Sequence, residues 1–255
     1  GEASGDAFGN SVSSAGDVNG DGYSDVIVGA VGYSLNTGRA YIYFGGVAMN
    51  NTADVIMIGG AIIDYFGISV SNAGDVNDDG YSDVIIGSYG YNSFTGRAYI
   101  YYGGASMNSI ADVTMTGETT NNSFGYSVSD AGDVNGDGYS DVIVGAHGYN
   151  AGTDLGSAYI YLGGAIMNNA ADVILTGASA GDNFGYSVSS AGDVDGDGYS
   201  DVIAGAYSYT GATYQGRAYI YFGGVSMNSV ADVILTGISA GDYFGISVSD
   251  AGDMN

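Results

Sequence analysis

Four near-copies of one acidic loop carry the side chains of a hard-cation site. The first reads Asp17-Val-Asn19-Gly-Asp21-Gly-Tyr23-Ser-Asp25. The frame recurs as Asp75, Asn77, Asp79, Tyr81 and Asp83; as Asp133, Asn135, Asp137, Tyr139 and Asp141; and as Asp193, Asp195, Asp197, Tyr199 and Asp201. Side-chain oxygens fall at loop positions 1, 3, 5 and 9, with glycine at position 6. Calcium takes six to eight oxygens at about 2.3–2.6 Å, and this spacing is that of a calcium loop. Position 7 supplies a main-chain carbonyl, which leaves the tyrosine ring free to pack. Asp25 and its equivalents can close the site from position 9. Gly22 permits the turn that folds the ligands inward.

An EF-hand needs a glutamate at position 12 and a helix after it. Position 12 here is Val28, inside an apolar run, so the loop is calcium-like on a β scaffold. A metal-free Asx turn is the plain alternative for a single copy. Four copies with three or four carboxylates each would repel themselves strongly when empty. The expectation is about four Ca²⁺ per chain, in the loose range of extracellular modules, roughly 10⁻⁴–10⁻³ M. Mg²⁺ suits an all-protein cage less well, because it keeps its waters.

Charge fits this reading. The chain has 255 residues, 28 acidic and three basic, with a net charge of -25. Half of the acids lie in the four loops. Four dications would bring -25 to -17. Such a surface repels nucleic acid and anionic membranes. Cysteine is absent, which excludes disulfides and thiol chemistry. No apolar run approaches a membrane span. A 45% hydrophobic content supports a real core.

The elements that position the loops repeat with them. Phe-Gly pairs at Phe8, Phe66, Phe124, Phe184 and Phe244 are spaced by 58, 58, 60 and 60 residues. Each unit holds four strand-like runs: Phe8 to Ala15, Asp25 to Ala30, Arg39 to Phe44 and Asp54 to Ile58 in the first. They are rich in Val, Ile, Tyr and Phe and bounded by Gly, Asn, Asp and Ser. A period of this size with four strands per unit predicts an all-β propeller of four-stranded antiparallel blades. A β-helix is the main rival, though its coils are usually shorter. The repeats fall at about 1–58, 59–116, 117–176 and 177–236, with a partial fifth at 237–255. That gives 17 strands, four blades plus one extra first strand. The start at Gly1 without Met or signal peptide, and the broken fifth loop at Asp253, read as cuts through a larger ring or array.

Successive loops of a meander alternate between two faces. The metal loops share one face with the 3–4 turns, whose Met49, Met107, Met167 and Met227 recur. The 2–3 loops lie opposite and vary, with Tyr33, Tyr91, Tyr149 and Tyr209 recurring. Variation on a repeated scaffold marks a surface for a protein or glycan ligand, with drift as the bland alternative. The arginines occupy one position before the third strand, with Ser157 in the third unit; a pair with Asp54 in the same unit is the expectation for Arg39.

These residues resemble the FG-GAP repeat, the blade of the integrin alpha-subunit propeller and of many bacterial surface proteins. The Phe-Gly pair, Gly-Asp-Val-Asn-Gly-Asp-Gly-Tyr-Ser-Asp and Val-Ile-Val-Gly-Ala match in order over nearly the whole chain. The resemblance implies calcium between strands 1 and 2 and an extracellular or cell-surface role in adhesion or recognition. One departure is the residue after Gly-Ala: Val31, Tyr89, His147 and Tyr207 stand where the family has proline. A second is number, since such propellers usually close with about seven blades.

Three functions follow from this reading. The first is a calcium-binding scaffold for adhesion or protein recognition. The second is a structural subunit that assembles with its own copies through the extra first strand, Phe244 to Ser249. The third is a glycan-binding module using the recurrent tyrosines. An enzyme is not expected: the single histidine, His147, sits in a variable loop and reads as exposed.

Overall fold

The computed structural model describes residues 1, 3–148, 155–209 and 213–252. Among the described residues, sixteen strands form four sheets of four. The first holds β1 (Phe8–Gly16), β2 (Asp25–Ala30), β3 (Arg39–Tyr43) and β4 (Val55–Ile58). The second holds β5 (Val70–Gly74), β6 (Asp83–Ser88), β7 (Arg97–Tyr101) and β8 (Val113–Thr116). The third holds β9 (Ser127–Gly132), β10 (Asp141–Ala146), β11 (Ser157–Tyr161) and β12 (Val173–Thr176). The fourth holds β13 (Ser187–Gly192), β14 (Asp201–Ala206), β15 (Arg217–Tyr221) and β16 (Val233–Thr236). Each sheet is an antiparallel meander in chain order, as a propeller blade is. First strands of successive blades face one another.

The second strands Val-Ile-Val-Gly-Ala are nearly continuous apolar runs because neighbours cover both of their faces. Every residue of β6 and β10 is buried. The core is divided into three inter-blade clusters. Between blades 1 and 2, Ile27, Ile42 and Met57 meet Phe66, Val84, Ile86 and Tyr101. The same positions meet between blades 2 and 3 through Ile85, Ile100, Met115, Phe124 and Val144, and between blades 3 and 4 through Ile143, Ile160, Leu175, Phe184 and Ala204.

The phenylalanine of each Phe-Gly pair is the staple between blades. Phe66, Phe124 and Phe184 are at most 1% exposed, and their backbones bridge to Gly38, Gly96 and Gly156 of the preceding blade. Only Phe8 belongs to a regular strand; in the other units the pair stands before the first strand. The expected extra first strand is corrected in the same way. Phe244 makes a single bridge to Gly216, and residues 244–252 form no strand, because no following strand pairs with them. Phe8 and Phe244 are each 40% exposed, since each lacks one of the two blades that enclose the interior three.

The 2–3 loops contain two four-residue turns, α1 (Tyr33–Asn36) and α2 (Tyr91–Phe94). Ser34, Leu35 and Asn36 have φ of 46, 60 and 62°, and Asn92, Ser93 and Phe94 repeat this left-handed run. Backbone bonds to the 4–1 connection hold it, including Ile63 N to Leu35 O at 3.2 Å and Tyr65 N to Asn36 O at 2.8 Å.

Candidate functional site

Each acidic loop joins the first strand of a blade to its second. A bulge at the end of β1 pairs Gly16 with Asp25 and closes the loop at its base. Gly16 has φ of 73°, and a Cβ there would collide with Ser82 of the next blade. Within the loop the backbone wraps around the position-1 carboxylate. Asp17 Oδ1 accepts from the amides of Gly20 and Asp21 at 2.8 and 3.1 Å, and Oδ2 accepts from Gly22 at 2.8 Å. Asn19 Oδ1 accepts from Asp21 N at 2.9 Å, and Asp21 Oδ1 from Tyr23 N at 3.0 Å. Asp75, Asn77 and Asp79 repeat this fold, as do Asp133, Asn135 and Asp137. The position-3 amide also donates to the position-5 carboxylate, Asn19 Nδ2 to Asp21 Oδ2 at 3.2 Å in the first loop, so the side chains of positions 1, 3 and 5 are held together. In the fourth loop, carboxylate oxygens of Asp193, Asp195 and Asp197 all lie within 4.8 Å of one another, on exposed side chains.

Position 9 has a second task that local spacing does not reveal. Asp25 is buried, with Oδ2 accepting from Val18 N at 2.8 Å and Oδ1 from Gly45 N at 2.7 Å. It ties the acidic loop to the 3–4 turn on the same face. Asp83, Asp141 and Asp201 do the same through Gly103, Gly163 and Gly223. Burial raises all four carboxyls, against the lowering effect of the two amides, with loop carboxylates adding repulsion. Asp83 and Asp141 are pushed up to about 7.

Two of the four position-7 rings pack on the preceding loop, whereas Tyr23 is 45% exposed. Tyr81 lies against Gly20 of the preceding loop, and Tyr199 against Gly136. The first three loops are also bonded to the next blade by their backbones. Gly104 N donates to Val18 O at 2.7 Å, Gly164 N to Val76 O at 2.8 Å and Gly224 N to Val134 O at 2.7 Å.

This architecture matches a known repeat. The FG-GAP repeat model covers residues 8–43, 66–101, 124–161 and 184–221. The chain belongs to the FG-GAP repeat family. Among its relatives, integrin alpha-5 of Xenopus laevis is 32% identical over 232 residues, covering 84% of this chain and 21% of the relative. Integrin alpha-V of Gallus gallus is 32% identical over 219 residues, 80% of this chain and 21% of the relative. Integrin alpha-6 of Homo sapiens is 29% identical over 230 residues, 78% of this chain and 20% of the relative. The chain thus spans about a fifth of the length of these relatives. Each FG-GAP match runs from the Phe-Gly staple through the acidic loop to the end of the third strand.

The opposite face of the FG-GAP blades is aromatic. Tyr65, Tyr89, Tyr126, His147, Tyr186, Tyr207 and Tyr243 form a ladder across three blade junctions, with centroid spacings of 4.1–6.3 Å. His147 is not the exposed loop residue expected. Its ring is wedged edge-on between Tyr126 and Tyr186, and burial holds its pKa down to about 4. Tyr33, Tyr91 and Tyr209 each have one ring face covered by Arg39, Arg97 or Arg217. Tyr149 lies outside the described residues, as does Asp253. Asp54 does not serve the arginine: its Oδ2 accepts from Phe44 N across the hairpin at 2.8 Å. No helix among the described residues is long and apolar enough to cross a membrane.

Proposed function

We propose that the chain is a calcium-binding, extracellular or cell-surface β-propeller scaffold for adhesion or protein recognition, without catalytic activity of its own. The observation that carries the metal part is the convergence of position-1, -3 and -5 carboxylates in the fourth acidic loop, where oxygens of Asp193, Asp195 and Asp197 lie within 4.8 Å of one another. Oxygens that near one another suit a cation bound at about 2.3–2.6 Å. The donors are oxygens alone, which suits Ca²⁺ and disfavours softer metals. Asp17, Asn19 and Asp21 would hold the ion in the first loop with the carbonyl of Tyr23, and the equivalent residues in the others. Asp25, Asp83, Asp141 and Asp201 would add to the local field while bracing the loop.

The ion's contribution is to offset the repulsion among these carboxylates and make the face rigid. Recognition then falls to the opposite face, where the 2–3 loops differ from blade to blade. The integrin alpha relatives support a protein ligand there. A glycan would find less open ring surface than the sequence suggests, because guanidinium groups already cover Tyr33, Tyr91 and Tyr209.

Thermal unfolding with and without EDTA tests the metal part. An ion that binds only the folded state stabilises it by RT ln(1 + [L]/Kd). Chelation should lower Tm, with recovery on adding Ca²⁺ and poor recovery with Mg²⁺. An unchanged melting curve would overturn the proposal that the loops are structural calcium sites.

A further inference from the structure

Position 3 is an asparagine in the first three acidic loops and an aspartate, Asp195, in the fourth. The chain has two Asn-Gly pairs, Asn19-Gly20 and Asn135-Gly136, and both stand at this position. The second loop has Asn77-Asp78 instead. An asparagine followed by glycine is open to attack on its side-chain carbonyl by the next backbone nitrogen, because no Cβ crowds that nitrogen. Packing demands the two glycines, since a Cβ on Gly20 or Gly136 would collide with the ring of Tyr81 or Tyr199. Both glycines are exposed, so water reaches them.

The loop sets a group at each atom of that reaction. Gly20 N, the attacking atom, donates to Asp17 Oδ1 at 2.8 Å, so a carboxylate is in place to take its proton. Asn19 Oδ1, where negative charge develops, accepts from Asp21 N at 2.9 Å. Asn19 Nδ2, the leaving amine, donates to Asp21 Oδ2 at 3.2 Å. The third loop repeats all three bonds: Gly136 N to Asp133 Oδ1 at 2.7 Å, Asp137 N to Asn135 Oδ1 at 2.8 Å, and Asn135 Nδ2 to Asp137 Oδ2 at 2.9 Å. The second loop keeps the two bonds of Asn77 with Asp79. Among the described residues, however, the Asp75 carboxylate takes amides from Asp79 and Gly80, not from Asp78. It lacks both the glycine and the base contact.

We propose that Asn19 and Asn135 are self-deamidation sites, with Asp17 and Asp133 as the bases. Gly20 N bonds to Asn19 Cγ as Asp17 takes its proton. The Cγ–Nδ2 bond then breaks, and ammonia leaves with that proton. The cyclic imide so formed is opened by water at either carbonyl, which restores the Gly20 N–H and gives aspartate or its β-linked isomer. Each event replaces an amide by a carboxylate, so two events take the net charge from -25 to -27. The fourth loop shows that the fold accepts the aspartate product. Asp193 Oδ1 accepts from Gly196 N and Asp197 N at 2.7 and 3.1 Å, and Asp195 Oδ1 accepts from Asp197 N at 3.1 Å, as in the asparagine loops. Conversion therefore brings the first and third loops to the four-carboxylate form of the fourth. In a calcium-loaded loop Asp17 and Asn19 would be engaged by the ion, which confines conversion to empty loops. That consequence rests on the calcium reading, and the conversion itself does not.

The test is peptide mapping by mass spectrometry of the whole chain incubated in EDTA at neutral pH, where each conversion adds about one dalton. Asn19 and Asn135 should convert at similar rates, roughly tenfold or more faster than Asn77. Asp17→Asn should slow Asn19 by roughly tenfold or more relative to Asn135 in the same molecule, and Asp133→Asn should reverse that ranking. Asp78→Gly leaves every base in place and should raise the rate at Asn77, so a folding defect in the aspartate variants would not leave the matter open. The same incubation in Ca²⁺ separates the two readings: equal rates with and without the ion would count against calcium in these loops and leave the conversion standing. Asn19 and Asn135 that stay intact in EDTA, or that convert no faster than Asn77, would overturn the proposal. So would an Asn19-to-Asn135 ratio unchanged in both aspartate variants.

Discussion

Asp17 and Ser82 belong to neighbouring blades and exchange two hydrogen bonds. Ser82 N donates to Asp17 O at 3.0 Å, and Asp17 N donates to Ser82 Oγ at 3.2 Å. Asp17 opens one acidic loop, and Ser82 precedes the last carboxylate of the next. The pair recurs as Asp75 with Ser140, and the backbone half recurs as Asp133 with Ser200. Whatever orders one loop therefore orders its junction with the following blade.

The serine hydroxyl is then a junction residue as well as a loop residue. Ser140→Ala removes the acceptor for Asp75 N, and a typical hydrogen bond contributes about 0.5–1.5 kcal/mol. The expected result is a loss in that range by urea unfolding, together with a higher calcium concentration at the midpoint of thermal protection. A variant that loses stability while its calcium midpoint stays fixed would show that loop and junction are not coupled.

The staple phenylalanines should divide by place in the array. Phe124 is fully buried between blades 2 and 3, so Phe124→Ala should cost about 3–5 kcal/mol through lost burial and the cavity left behind. Phe8 is 40% exposed and, among the described residues, packs on the Tyr41 ring alone, at 5.4 Å, so Phe8→Ala should cost less than half as much. Urea midpoints of the two variants give the comparison. Equal losses would contradict the assignment of the core to the blade junctions.

The buried position-9 carboxylates set a pH dependence in the calcium-free protein. Asp83 and Asp141 hold their protons to about pH 7 in the folded chain, mainly through desolvation. An unfolded carboxyl releases its proton near 3.9. Between these values the folded state binds more protons, so stability is full below about pH 4 and falls as pH rises through 7. In EDTA, Tm should therefore drop from pH 5 to pH 8, and Asp141→Asn should flatten the drop. With calcium present the order should reverse, because the ionised loop binds the cation better. A calcium-free Tm that rises over this interval would contradict the assignment.

Much of this organisation is legible locally. The bounds of β2, Asp25 to Ala30, follow from one apolar run between turn residues, and β6, β10 and β14 repeat it. The gathering of Asp17, Asn19 and Asp21 follows from their spacing within one turn. What local spacing misses is whatever spans a junction or a hairpin. The anchorage of Asp25 on Gly45 crosses 20 residues, and the Asp17–Ser82 exchange crosses 65. The arginine's companions show the remedy. Asp54 is the near acid in the sequence, yet it caps Phe44. The acid that varies with the arginine is the one before each Phe-Gly pair, and only comparison of the four units exposes it, through Ser157 and Asn122.

His147 takes a place that tyrosine holds in two other blades. The equivalent positions in blades 2 and 4 are Tyr89 and Tyr207, both members of the aromatic ladder. His147 fills that rung between Tyr126 and Tyr186, whose hydroxyls are bonded to each other at 3.0 Å. Burial holds the imidazole neutral down to about pH 4, against 6.5 for a free side chain. The folded state thus binds fewer protons than the unfolded chain in this interval. Its contribution is present above pH 6.5 and is lost as pH falls toward 4. Proton NMR of the single histidine should show a midpoint near 4. His147→Tyr should preserve the fold and remove this acid-side loss, while His147→Ala should open the ladder and lower Tm at neutral pH. A midpoint near 6.5 would place the ring in solvent and separate it from the ladder.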